Sequence, residues 1–164
     1  LFAALEEKMD SLLARESSVL GPVVLRNCEI KAEVVAADER ETGLRAILNF
    51  GHTLGHAVEN LASAGGMVHG EAVAIGMVAA ARASVALGYL PASDAHRLEA
   101  LLHRLGLPTA AAPEETARAL KALRLDKKRR GGVVHAVLLE GLGRGIRVPL
   151  ELDALTRLLA GERP

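Results

Sequence analysis

The run AVAIGMVAAA at residues 72–81 constrains the fold more than any other stretch of this chain. A helix made of it would have no polar face, so it must be enclosed by other elements. It is too short to span a bilayer, and Arg82 closes it. Its small side chains suit close approach by neighbouring helices. The reading is a buried central helix over residues 68–87, inside a bundle.

The rest of the chain supplies the partners. Alanine and leucine are abundant, which favours helix. Residues 1–14 are amphipathic, with Leu5, Met9, Leu12 and Leu13 opposite Glu6, Glu7 and Lys8. Gly21-Pro22 marks a turn, with Pro22 in the first turn of a helix that runs to about residue 37. The apolar positions of that helix are Val24, Leu25, Cys28, Val34 and Val35. Residues 38–43 form a charged loop capped by Thr42, and a second buried helix covers residues 44–62. Residues 63–66 are a loop. Gly88 and Pro91 stop the central helix, and Ser93 or Asp94 caps the next, which ends near Gly106. A short helix opens at Pro113 and reaches about residue 123. Then the period changes. VVHAVLLE (133–140) reads as a strand, Gly141 to Gly145 as a tight connection and Ile146 to Val148 as a returning strand. A last helix occupies residues 150–159, after Pro149. The fold class is mainly α: a multi-helix domain with a small β-hairpin near its C-terminus, read as one domain over residues 1–164.

Composition removes several function classes. Lys plus Arg equals Asp plus Glu, giving a formal net charge of zero, where a nucleic-acid or membrane-surface binder would carry a basic excess. Aromatics are limited to Phe2, Phe50 and Tyr89, too few for a base-stacking surface. Cys28 is the single cysteine, so no internal disulfide forms; it reads as a small buried apolar residue. No signal peptide is evident. A cytoplasmic location fits, with no nucleic-acid and no membrane partner. The chain opens on Leu-Phe inside a helix and carries no G-x-G-x-x-G after a strand, which reads as a fragment or excised domain.

The chemistry gathers in RAILNFGHTLGHAVENLASAGGMVHGE, residues 45–71. His52 and His56 stand at i and i+4, which puts both rings on one helix face. His69 follows the Gly65-Gly66 break, with Glu71 close behind. Neutral imidazole is the commonest zinc ligand, so the three could build much of an open metal site. Arg45 and Asn49 precede His52 by seven and three, on the same helical stripe. A cation, an amide and two imidazoles are costly to bury for packing alone. Any one of these histidines alone would read as a satisfied surface side chain; the constellation favours a site. It is not H-E-x-x-H: Thr53 follows His52, and no carboxylate lies between the histidines. Glu59 is either an outer partner of the site or a solvated charge. His96, His103 and His135 lie outside every motif, as two exposed helix residues and one strand residue.

Three motifs in order, KAEVVAADERETGLRAILNFGHTLGHAVE (31–59), HGEAVAIGM (69–77) and LDKK (125–128), resemble the C-terminal half of 3-dehydroquinate synthase, a sugar-phosphate cyclase. The resemblance covers residues 31 to about 148. It implies an enzyme that turns 3-deoxy-D-arabino-heptulosonate 7-phosphate into 3-dehydroquinate and phosphate, in the shikimate pathway of aromatic amino acid biosynthesis. Such enzymes use bound NAD for a transient oxidation and a divalent metal, zinc or cobalt. By the resemblance His52 and His69 are metal ligands, and His56 contacts substrate and takes part in proton transfer. Lys31, Arg45 and Asn49 hold substrate, as does one lysine of Lys127 and Lys128, with Lys127 favoured. Charge pattern alone would make residues 127–130 a solvated basic turn. The family's N-terminal domain supplies the NAD site and an acidic metal ligand, so no cofactor-binding residue is assigned here. The implied partners are that domain, an anionic sugar phosphate and a second copy in a homodimer. The rival readings are a sister cyclase, a metal-dependent polyol dehydrogenase, and a helical interaction domain without catalysis of its own. The cations of residues 31–56 suit an anionic substrate better than a neutral polyol.

Overall fold

The computed structural model describes residues 1–40, 43–61, 67–128 and 132–162, and no side chains for residues 126–128. The chain divides into two compact units, Leu1–Leu48 and Asn49–Pro164.

The first unit is helical: α1 (Phe2–Glu7), α2 (Met9–Leu13) and α3 (Ser17–Ala37). The single amphipathic helix expected over residues 1–14 is broken at Lys8. The turn expected at Gly21-Pro22 is absent, because α3 begins at Ser17 and runs through both residues. Proline removes one N–H and one intrahelical hydrogen bond, a loss that a helix of 21 residues tolerates. The break falls earlier, at Arg15, whose φ of 56° is left-handed. There the Glu16 N–H reaches back to the Ser11 carbonyl at 3.0 Å, closing α2. Among the described residues α3 buries no side chain. Val24, Leu25 and Cys28 are exposed, so the expectation of a buried Cys28 fails.

Beyond α3, Asp38 is buried and accepts the N–H groups of Gly43 at 2.8 Å and Arg45 at 2.9 Å. It therefore holds the start of a 3-10 turn over Leu44–Asn49. Thr42, expected to cap here, lies outside the described residues. The helix expected over residues 44–62 is in fact this turn followed by α4 (His52–Leu61), separated at Gly51 with φ +82°. Arg45 and Asn49 are thus not on the α-helical stripe of His52 and His56. A glycine in the left-handed region breaks the run of helical φ between the two segments.

The second unit is built around α5 (His69–Ala86), which packs against α4, α6 (Ala92–Arg104), β1 (Val133–Gly141) and α8 (Leu152–Leu159). As its composition requires, Ala72, Ala74, Ile75, Gly76, Val78, Ala80, Ala81, Ala83 and Ser84 are all buried. Gly88, at φ +76°, ends α5 where glycine chemistry placed the stop. α6 starts at Ala92 behind Pro91, with Ser93 and Asp94 inside its first turn rather than capping it. α7 (Pro113–Lys128) runs past residue 123 and packs on α4 and α8.

β1 pairs antiparallel with β2 (Arg144–Glu151), from Val133 opposite Glu151 to Leu138 opposite Ile146. Ala136 to Leu139 are buried consecutively, because α5 and α8 both pack on β1. β2 alternates, with Ile146, Val148 and Leu150 half-buried and Arg147, Pro149 and Glu151 exposed. Pro149 lies inside β2, and α8 begins two residues later than expected. A two-stranded sheet has only edges, which is where a strand accepts proline.

One side chain joins helix to hairpin. The fully buried Ser84 hydroxyl donates to the Ala80 carbonyl at 2.7 Å and accepts the Leu139 N–H at 3.0 Å. Ser84→Ala leaves that buried N–H unpaired, which costs about 1–3 kcal/mol. Urea denaturation of the variant is expected to show a lower midpoint with an unchanged slope. An unchanged midpoint would mean that another acceptor, such as water, reaches Leu139.

Candidate metal centre

Two helices carry the histidines. α4 begins at His52 and presents His56 one turn later; α5 begins at His69. The Glu71 carboxylate accepts the Val68 N–H at 3.1 Å, fixing the entry to α5 beside His69. Glu71 is thus a helix-start residue rather than an answer to His69.

What brings the helices together is the absence of side chains where they cross. A Cβ on Gly76 would meet the Gly51 carbonyl well inside contact distance, and the Gly55 nitrogen at 2.9 Å. A Cβ on Gly51 would lie 2.6 Å from Met77 Cγ and 2.8 Å from the Val73 carbonyl oxygen. Gly55 is nearly as tight, 3.0 Å from the Ala72 carbonyl oxygen. Main chain therefore meets main chain, and the imidazoles on the two helices can converge.

They do converge. Ring centroids are 5.1 Å apart for His52 and His56, 5.3 Å for His52 and His69, and 5.7 Å for His56 and His69. One ring nitrogen from each can be chosen so that all three lie within 4.8 Å of one another. His52 is half-buried, and His56 and His69 are exposed.

Two of the rings are anchored from behind. His52 Nδ1 lies 3.2 Å from the Phe50 carbonyl oxygen, and His69 Nδ1 lies 3.0 Å from Glu59 Oε2. A carbonyl or carboxylate beside Nδ1 selects the tautomer with the proton there and leaves Nε2 as a lone-pair donor. An Nε2 pair so prepared is the donor set of a zinc-type site, and two protein nitrogens leave coordination positions open. The residues fit a divalent metal of this kind.

The other sequence candidates stand as follows. Lys31 is exposed on α3 in the first unit. Arg45, also in that unit, is half-buried and donates from its guanidinium to the Glu39 carbonyl at 3.0 Å. Asn49 is exposed at the end of the 3-10 turn. Lys127 and Lys128 end α7, with side chains outside the described set. His96, His103 and His135 are exposed, on α6 and β1, as expected. Sequence reasoning missed Asp38 as an organiser of the loop before Arg45. Its signal was an acid five residues ahead of a glycine in a charged run.

A cavity of about 530 Å³ lies elsewhere in the second unit, between Leu54, Ile75, Leu120 and Leu158. Two cations on its lining are already engaged, Arg82 by Glu99 at 2.7 Å and Arg124 by the Thr156 hydroxyl at 2.9 Å. It holds no histidine and is not the candidate centre.

Among known proteins, a family model described as 3-dehydroquinate synthase C-terminal matches residues 1–129. The 3-dehydroquinate synthase of Pelobacter propionicus is 47% identical over 157 residues, covering 96% of this chain and 44% of that protein. That of Nitrosomonas europaea is 41% identical over 164 residues, covering 97% and 44%. This chain therefore spans less than half the length of these curated relatives. Among solved structures, 2-epi-5-epi-valiolone synthase from Streptomyces hygroscopicus, with NAD+ and Zn2+ bound, superposes with a TM-score of 0.78 at 26% identity, covering 96% of this chain and 44% of that one. A 2-deoxy-scyllo-inosose synthase complexed with carbaglucose-6-phosphate, NAD+ and Co2+ gives 0.66 at 26% identity, covering 80% and 38%.

Proposed function

Since this chain belongs to the 3-dehydroquinate synthase family, we propose that it is the metal- and substrate-binding part of an enzyme that forms 3-dehydroquinate and phosphate from 3-deoxy-D-arabino-heptulosonate 7-phosphate. The observation that carries this reading is the convergence of His52, His56 and His69 with two of the rings anchored through Nδ1. The identities of 41% and 47% to named synthases favour this reaction over the sister cyclases, which resemble the chain in shape at 26%.

His52 and His69 would hold the divalent metal, zinc or cobalt, through Nε2. When bound, such an ion polarises a substrate hydroxyl and the carbonyl formed from it. His56 stands one turn along α4 from His52 and serves as the proton carrier beside the reacting carbons. Arg45, Asn49 and Lys31 hold the anionic substrate, and Lys127 or Lys128 adds a cation. A planar guanidinium suits a carboxylate or phosphate by paired hydrogen bonds, and lysine supplies a point charge. NAD and the acidic metal ligand belong to an N-terminal domain beyond these residues. In this reading the whole enzyme is a cytoplasmic homodimer of the shikimate pathway.

The test is phosphate release from that substrate with NAD and zinc. The two-domain enzyme is expected to turn over, and the 164-residue chain alone to release no phosphate above background. Turnover by the short chain at the rate of the whole enzyme would overturn the division of labour proposed here.

A further inference from the structure

We propose that Glu59 is the positioning residue for His69, holding its Nδ1 proton so that Nε2 is the ligand atom. The inference rests on the metal-site reading above and goes beyond it, to what aims one ligand. Glu59 Oε2 lies 3.0 Å from His69 Nδ1. The contact joins α4 near its C-terminal end to the first residue of α5, so its partners are ten residues apart in sequence. One helix thus supplies two imidazoles, at His52 and His56, and the carboxylate that orients the third.

The two anchored rings differ in a way that matters. His52 is held by a neutral main-chain carbonyl at 3.2 Å, and His69 by a carboxylate. Free imidazole can carry its proton on either nitrogen. A carboxylate beside Nδ1 selects one tautomer and fixes the ring plane. The His69 side chain is 53% exposed; its ring lies beside those of His52 and His56, and the contact with Glu59 is the hydrogen bond that fixes its Nδ1 side. The ordinary alternative is a surface ion pair, which contributes little and is indifferent to metal.

The experiment uses the complete enzyme with Glu59→Ala and Glu59→Gln. Zinc affinity is measured by chelator competition, and the His69 tautomer by nitrogen chemical shifts of the metal-free protein labelled at histidine. Glu59→Ala is expected to weaken zinc binding about 10–100-fold, the usual effect of removing such an outer partner. It is also expected to release His69 from the tautomer protonated at Nδ1. Glu59→Gln, whose amide oxygen can still accept that proton, is expected to recover the tautomer and part of the affinity. Parental zinc affinity and an unchanged tautomer in Glu59→Ala would overturn the proposal and leave the metal site standing. A parental enzyme that binds no zinc would overturn the metal site and the proposal together.

Discussion

His52→Ala and His69→Ala are each expected to weaken zinc binding by the complete enzyme by more than about 100-fold, beyond the range for losing an outer partner. His56→Ala is expected to retain most of the metal and lose turnover. The distances alone do not separate the three, since all converge within 4.8 Å. The separation comes from behind the rings, where Nδ1 of His52 and of His69 is occupied by an acceptor and Nε2 is left as the donor. His56 and His69 are exposed and His52 half-buried, so none of the substitutions opens a core cavity. Thermal midpoints of the metal-free variants should therefore stay near the parent, which keeps a loss of metal from being a loss of fold. Metal content after dialysis, with phosphate release on the same samples, decides the matter. Equal metal loss in all three variants would make His56 a third ligand.

Gly76→Ala is expected to lower stability by about 3 kcal/mol, the upper part of the range for overpacking. The added carbon has nowhere to go. Its first obstacle is the Gly51 carbonyl oxygen and its next the Gly55 nitrogen, both main-chain atoms rather than the tip of a side chain that could swing away. Relief would require α4 to move off α5 and carry His52 and His56 away from His69. The same variant is therefore expected to lose zinc affinity without touching an imidazole. Gly70→Ala is the control: it lies in α5 with nothing within 4 Å of its added carbon, so denaturation should show it equal to the parent or more stable. A Gly76→Ala protein that unfolds with its parent would show that the helices meet less closely than the distances here require.

Much of the fold was legible because its signals are local. The central helix announced itself by being apolar on all sides, and its end at Gly88 by a residue that adopts positive φ. The hairpin was legible from the change of period at Val133 and the glycines around Leu142. The failures share a cause as well. Gly21-Pro22 reads as a turn on propensity, but the length of α3 outweighs one lost hydrogen bond. Gly51 sits in an otherwise helical pattern, and nothing local says that Gly76 will press on it from another helix and that its φ will be positive. The 3-10 turn over Leu44–Asn49 and the break at Gly51 together replace the single α-helix on which Arg45 and Asn49 would share a stripe with the histidines. The histidine cluster was legible in its members and only partly in its supports. The Phe50 carbonyl carries no sequence signal, and Glu59 reads from the sequence as either an outer partner or a solvated charge, two alternatives that only its contact with His69 separates.

The openness of the histidine trio has a practical side. Imidazoles presented to solvent, two of them with Nε2 made available, resemble the histidine tags that a metal-affinity resin captures. In the usual order of divalent affinities copper outranks zinc at such nitrogens, and imidazole also suits nickel. The ion recovered with a purified preparation will therefore record its last column and buffer as much as its cell. Identifying the physiological metal calls for protein isolated without immobilised nickel and assayed before any chelator is added.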